Sequence, residues 1–437
     1  MSLKADLGAL WESRGFRRLT WARLLSQVGD GMFQVGIATA FFFDPTHATT
    51  PAQIAVGFAV LLAPFTFVGP FVGPLIDRWH RQRIVLFGNL VRLVLAAGIV
   101  ALVLADAPSW ALYGSALVTL SVNRFLLAAM TAGLPQVVPA HQLLAANAVL
   151  PTLGTIAASA GGAIGAVATF VVPSVTDSSL AITALLGAAA LFGASSSAAT
   201  RIGRTELGPV HPLEHLQLAE QLRALTAELL EGERYLRARR TPWHALGVMS
   251  AQRLLYGLMF VAAILASRQV LADPTDAAAG LGAFSVVLGF AAVGFGLAAV
   301  LTPALGDRMP RDRWILMCLG VGAAGQALLA IGPYPWALLA AAVIVSFAVQ
   351  GGKIAVDTIV QRDTADHVRG RAFTLYDMAY NVAFMSAAAI GALVLPDSGW
   401  SRAVMIGIAG AYVAVGLAYA RSPRTPNPVP TTATIVG

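Results

Sequence analysis

The stretch GPLIDRWHRQR at residues 73–83 returns in outline as PALGDRMPRDR at residues 303–313. Asp77, Arg78, Arg81 and Arg83 each meet an identical residue 230 positions later, at Asp307, Arg308, Arg311 and Arg313. Both blocks are polar breaks in a chain with few of them. Of its 437 residues 57% are hydrophobic, only 12% are charged, and 42 are glycine. A helix needs about 20 apolar residues to cross the hydrocarbon of a bilayer. Each block follows two runs of that length and precedes four more. Four matched charges at the same place in each set of six mark an internal repeat.

Working outward from the blocks, twelve spans are predicted, at 20–43, 54–76, 84–105, 109–133, 143–172, 180–200, 243–268, 279–302, 314–332, 335–358, 371–396 and 400–421. Disorder is incompatible with this hydrophobicity. A disulfide scaffold is incompatible with the single Cys318. An outer-membrane barrel would alternate in segments of about ten residues, which these runs do not. The net charge of +7 is not a nucleic-acid footprint, because the basic residues lie in alternate gaps rather than along one stripe. They fall at the amino end (Lys4, Arg14, Arg17, Arg18, Arg23), after spans 2, 6, 8 and 10, and in the tail. The opposite gaps hold only Arg268 and Arg402, among Asp44, Asp106, Asp177, Asp273, Asp276 and Asp397. The gap after span 4 is silent, with His141 but no Lys or Arg. This asymmetry predicts a multi-pass protein of the cell membrane with both termini cytoplasmic.

The predicted organisation is an N-terminal six-helix half (1–200), a cytoplasmic linker (201–242), a C-terminal six-helix half (243–421) and a disordered cytoplasmic tail (422–437). Leu218, Leu222, Leu225 and Leu229 recur at helical spacing among Glu220, Arg223, Glu228 and Glu231, so the linker contains an amphipathic helix.

The block at 73–83 resembles the signature loop of the major facilitator superfamily, Gly-x-x-x-Asp-Arg-x-Gly-Arg-Lys/Arg, and the resemblance covers nearly the whole chain. His80 stands where the second glycine is usual, and Gln82 replaces one base. Gly29-Asp30-Gly31, the run from Leu134-Pro135 to Ala146-Asn147, residues 231–236 and Gly370-Arg371 are similar to the drug-efflux and siderophore-exporter branch. Gly154, Gly161, Gly162 and Gly165 resemble the glycine-rich helix of antiporters, without its Gly-Pro pair. The resemblance implies an all-α polytopic fold, twelve transmembrane helices in two pseudo-symmetric six-helix halves. It implies a cytoplasmic gate containing Gly73, Asp77, Arg78, Arg81, Asp307, Arg308 and Asp377. In such a gate Asp77 would accept from N–H groups at a helix N-terminus, and Arg78 would grip a facing carboxylate.

Ionisable groups at bilayer depth cost about 2.5–3.5 kcal/mol on insertion scales, so each needs a reason. Asp30 lies near the middle of span 1 between two glycines and is expected to exchange a proton or pair with a cationic substrate; permanent pairing with a buried arginine, or capping of a glycine-loosened helix, is the alternative. Lys353 and Asp357 share a helix face at i, i+4, either as a static pair or as one that opens during transport. Arg124 is expected in proton relay or closure. Arg92 and Arg253 are expected to be structural, snorkelling or paired. Phe33, Gln34, Tyr256, Tyr376, Tyr380 and Asn381 would line a central cavity if the spans pack as the resemblance implies.

No nucleotide-binding loop, metal-ligand spacing or catalytic nucleophile motif occurs, so the chain is expected to be no enzyme and to hold no cofactor or metal. The expected function is proton-coupled export of small organic molecules (drugs, antibiotics or siderophore-like metabolites) by a monomer using alternating access. Its partners are the substrate, protons and the lipid bilayer, not nucleic acid. The same architecture allows a proton-coupled importer of a small metabolite, or a transport-inactive sensor.

Overall fold

The computed structural model describes residues 10–43, 51–64, 76, 78–139, 142–171, 179–209, 218–273, 276–306 and 309–422. Regular structure among these is entirely helical. We number the helices α1 (Arg14–Ala38, continued by a π-helical turn at Thr39–Phe43), α2 (Pro51–Ala63), α3 (Arg81–Leu104), α4 (Ser109–Val137), α5 (Leu143–Val171) and α6 (Ser179–Ala199). After the linker helix Leu218–Ala238 come α7 (Arg240–Gln269), α8 (Ala277–Gly306), α9 (Arg311–Leu329), α10 (Pro335–Asp363), α11 (Asp366–Val394) and α12 (Arg402–Arg421).

Among the described residues nine of these helices are long and apolar enough to cross a membrane. The other three correspond to expected spans with identifiable handicaps. Arg23 and Asp30 fall inside α1, Arg311, Asp312 and Arg313 open α9, and most of the chain that would complete α2 lies outside the described residues. Helix starts follow local chemistry. Ser13 caps α1 by accepting from the Phe16 N–H at 3.2 Å. Pro335 occupies the first turn of α10, where a missing N–H costs nothing.

The chain forms two compact units, Met1–Ala224 with Ser267–Ala283, and Leu225–Ala266 with Phe284–Gly437. In the first, α1 packs on α5 and α6, α3 on α4 and α6, and α2 on α4. In the second, α9 packs on α10 and α12, Gly257 of α7 sits against Ala387 of α11, and Gly294 of α8 against Val343 of α10. Helices 1 and 5, 2 and 4, 3 and 4, and 3 and 6 are thus neighbours in each unit, and the repeat seen in the sequence is a repeat of packing.

Apolar burial drives little association inside lipid, so close backbone approach and interhelical hydrogen bonds must supply it. Both are present. A Cβ on Gly31 would stand 2.0 Å from the Ala158 carbonyl oxygen, and one on Gly161 would stand 2.0 Å from that of Val28. Only glycine lets α1 and α5 meet this closely. Ser195 Oγ donates to Ala22 O at 2.7 Å, Ser196 Oγ to Leu86 O at 2.9 Å, and Gln252 Nε2 to Ala348 O at 3.0 Å. Outward faces are apolar: Phe87, Leu90, Val91 and Val94 of α3 are exposed along one stripe, as are Val286, Phe290, Val293, Leu297 and Val300 of α8. These are surfaces that a bilayer covers.

The linker helix turns Leu225, Leu229, Gly232 and Leu236 inward at spacings of four, three and four, with Leu229 and Leu236 buried. Arg371 pairs with Glu231 at 2.7 Å and Glu228 at 3.5 Å. Tyr235 Oη accepts from the Ala365 N–H at 3.2 Å, and Arg239 donates to Asp363 O at 3.3 Å.

Candidate functional site

Among the described residues each unit sets a cluster of charged side chains among its apolar helices. In the first, Arg92 of α3 pairs with Asp30 of α1, and the two side chains are 0% and 3% exposed. Gln27 Nε2 donates to the other carboxylate oxygen at 2.5 Å. Arg92 also donates to Ser26 Oγ at 3.0 Å, and Ser26 Oγ donates to Asn89 Oδ1 at 3.0 Å. The Arg92 guanidinium carbon lies 3.7 Å from the centre of the Phe192 ring on α6. Helical spacing brings these groups together: Ser26, Gln27 and Asp30 share one face of α1, and Asn89 and Arg92 one face of α3. Both charges are desolvated, so each depends on the other. Asp30 and Arg92 belong to the same unit, and their bond ties α1 to α3 within it.

The second cluster is more open. Lys353 Nζ donates to Asp357 Oδ2 at 2.8 Å, one helical turn apart on α10, and the side chains are 29% and 27% exposed. The hydroxyl of Tyr376 on α11 donates to the other oxygen of Asp357. Tyr376 stacks on Tyr380 with centroids 6.3 Å apart. Beside them stands Arg253 of α7, its guanidinium carbon 3.8 Å from the Phe384 ring centre, 4.2 Å from Tyr380 and 5.4 Å from Tyr256. Arg253 Nε is buried without a hydrogen-bond partner, and among the described residues no carboxylate pairs with this guanidinium. Each cation–π contact is worth about 0.5–2 kcal/mol, so the rings offset part of the cost of an uncompensated charge.

The structure therefore joins Lys353, Asp357 and Tyr376 in one hydrogen-bonded group, with Tyr380 and Tyr256 around Arg253 beside it. Asn381 is partly buried on α11. In the first unit Phe33 is fully buried, its ring 6.2 Å from Phe192, while Gln34 is exposed and Arg124 partly buried. Of the expected gate residues, Arg81 donates to Ala132 O at 3.0 Å and Leu207 O at 3.1 Å, fastening the loop before α3 to α4 and to the segment after α6. Arg78 is partly buried and Asp377 exposed. Gly73, Asp77, Asp307 and Arg308 lie outside the described residues.

Residue-by-residue reading misses the Arg253 cage. A signal exists in the register: Arg253 stands 230 positions after Arg23, and Lys353 stands 230 after Asn123, the spacing of the two loop blocks. Arg23 has its own buried Nε without a partner.

Comparison with known proteins agrees with this architecture. The model of the family described as Major Facilitator Superfamily matches residues 271–435. An uncharacterized MFS-type transporter of Mycobacterium tuberculosis is 31% identical over 386 residues, 88% of this chain and 86% of the relative. Among solved structures, the nucleoside transporter NupG is similar with a TM-score of 0.64 at 14% identity, covering 96% of this chain and 98% of that one. The peptide transporter POT gives 0.64 at 14% identity, with 93% of each chain covered. At such identity these two likenesses speak for the fold alone.

Proposed function

The chain belongs to the major facilitator superfamily, and from that premise we propose that it is a proton-coupled exporter of small organic molecules. It has the all-α, multi-pass fold of that superfamily's transporters. In this reading it works as a monomer in the cell membrane, with both termini in the cytoplasm, and alternates access between its two six-helix halves.

Asp357 carries the proposal. It is a carboxylate set within an apolar helix, held by two donors of different kind, and its side chain keeps 27% exposure. A proton arriving there cancels the charge that holds Lys353. Loss of that attraction frees an ammonium in the interior, and a group whose partner depends on protonation can bias a two-state equilibrium. Asp30 is sealed by Arg92 and Gln27, so we assign it the second, slower place in coupling, with Arg124 in the same half. The export direction rests on the resemblance of the glycine-rich α5 to that of antiporters, a helix that here lies backbone to backbone on α1 at the level of Asp30. Asp77, Arg78, Arg81, Asp307, Arg308 and Asp377 form the inner gate in this reading.

Flux in proteoliposomes with an imposed pH gradient tests the proposal. Substrate and protons should move in opposite directions, and Asp357→Asn should abolish gradient-driven flux while sparing downhill exchange. Co-directional movement would refute export. Full coupling in Asp357→Asn would refute the assignment of the proton. At equal surface expression, Asp77→Asn should transport more slowly with insertion unchanged; unaltered transport would remove the gate.

A further inference from the structure

We propose that Arg253 is where the transported molecule's charged end docks, and that this molecule is an organic monoanion, a carboxylate on an apolar or aromatic body. The inference rests on the transporter reading above and names its substrate class.

A guanidinium about 13 residues along α7, roughly 20 Å from the helix start, is an expensive object in an apolar span. Such groups are normally tied to a carboxylate, as Arg92 is to Asp30. Arg253 is not. Its neighbours are the ring faces of Phe384, Tyr380 and Tyr256, which stabilise a cation without using its N–H donors. A guanidinium carries five such donors in a planar fork matched to a carboxylate. The residue keeps partial exposure although its Nε is buried, so the fork is held in place and reachable from one side.

Local charge selects the ligand. Two acids act on the tyrosines of the cage, Asp357 and Asp377, and the two oxygens of Asp357 are already engaged by Lys353 and Tyr376. Lys353 and Asp357 cancel, and Asp377, which also acts on Tyr376 and Tyr380, is exposed and screened by solvent, which leaves Arg253 as the uncompensated charge among the rings. A monoanion would neutralise it, whereas a phosphate monoester dianion would leave an excess negative charge in a low-dielectric site. The rings that cradle the guanidinium offer an apolar face to the rest of the molecule. Tyr380 is itself only partly buried and can stack on a flat one.

The equivalent arginine of the first half sharpens the case. Arg23 lies one repeat earlier, with Thr131 Oγ1 at 3.5 Å and Gly154 against its side chain. Among the described residues no aromatic ring lies over it, so the cage is particular to Arg253.

Equilibrium binding to the purified full-length chain in detergent tests this, with benzoate, salicylate, 2,3-dihydroxybenzoate and hexanoate as probes and benzamide, benzylamine and phenyl phosphate as comparators. At least one carboxylate should bind at least tenfold more tightly than every comparator. Arg253→Gln should weaken that carboxylate at least tenfold, and Arg253→Lys by less, since it keeps charge but loses the fork. Failure of all four carboxylates to bind, equal binding of benzamide, or undiminished binding by Arg253→Gln would overturn the proposal. If Arg253→Gln does not fold, the ranking of probes on the unmodified chain decides alone. Binding needs no gradient, so anion selectivity without proton-driven flux would sink the coupling reading and leave this one standing. Coupled flux without anion selectivity would do the reverse.

Discussion

Asp30 and Arg92 each supply the opposite charge that compensates the other in the interior of the first unit. Removing one leaves the other buried and uncompensated, a loss of about 3–5 kcal/mol. Asp30→Asn and Arg92→Met should therefore each lower the unfolding temperature of the purified protein. The double variant should recover most of the loss, because well-packed neutral groups replace a desolvated pair. Losses that simply add, followed by thermal unfolding in detergent, would show that the two side chains do not act as a pair. The residues of this cluster are only partly legible in the sequence. Asp30 stands out as an acid in an apolar run, but its partner is 62 positions away on another helix, and no local rule connects them. Lys353 and Asp357 are legible as a pair because helical spacing alone makes them neighbours. Arg253 reads in the sequence as an ordinary structural arginine, since its three rings come from two helices and nothing near it in the chain reveals that its carboxylate is missing.

The contact between α1 and α5 turns on positions that cannot hold a side chain. Gly161→Ala would put a methyl group 2.0 Å from the Val28 carbonyl oxygen, so the helices must separate or the protein must fail to fold. We expect a large drop in unfolding temperature and in yield. Gly98→Ala on α3 is the matched control: nothing lies within 4 Å of the place its methyl group would take, and alanine should be neutral or stabilise the helix by about 0.5–1 kcal/mol. Equal behaviour of the two variants in a melting assay would mean that the interface is not limiting. Helices are easier to foresee than their ends. Span 1 reads as starting at residue 20, but α1 begins at Arg14 because Ser13 caps it. Span 10 reads as ending at residue 358, yet α10 runs to Asp363. Hydropathy reports where lipid is tolerated, whereas helices continue until their hydrogen bonds stop, past the polar edge.

At the scale of the molecule, the sequence discloses the repeat through two loops, and the structure extends it to the neighbours of each helix. Side of the membrane is a separate property, set by the distribution of arginine, and it is open to labelling. Cys318 is the protein's single cysteine and is fully buried, so a Cys318→Ser background should be silent to impermeant thiol reagents. In that background Ala105→Cys, between α3 and α4, should react from outside intact cells. Ser422→Cys, after α12, should react only once the membrane is opened. Labelling of both from the same side would contradict the assigned topology. The linker helix has a further consequence. Its ties through Arg371, Tyr235 and Arg239 all run to α10, α11 and the turn between them. A gene severed within codons 210–217 should therefore yield two polypeptides that reassemble when co-expressed, whereas a cut at residue 239 would strand the helix on the fragment that cannot hold it.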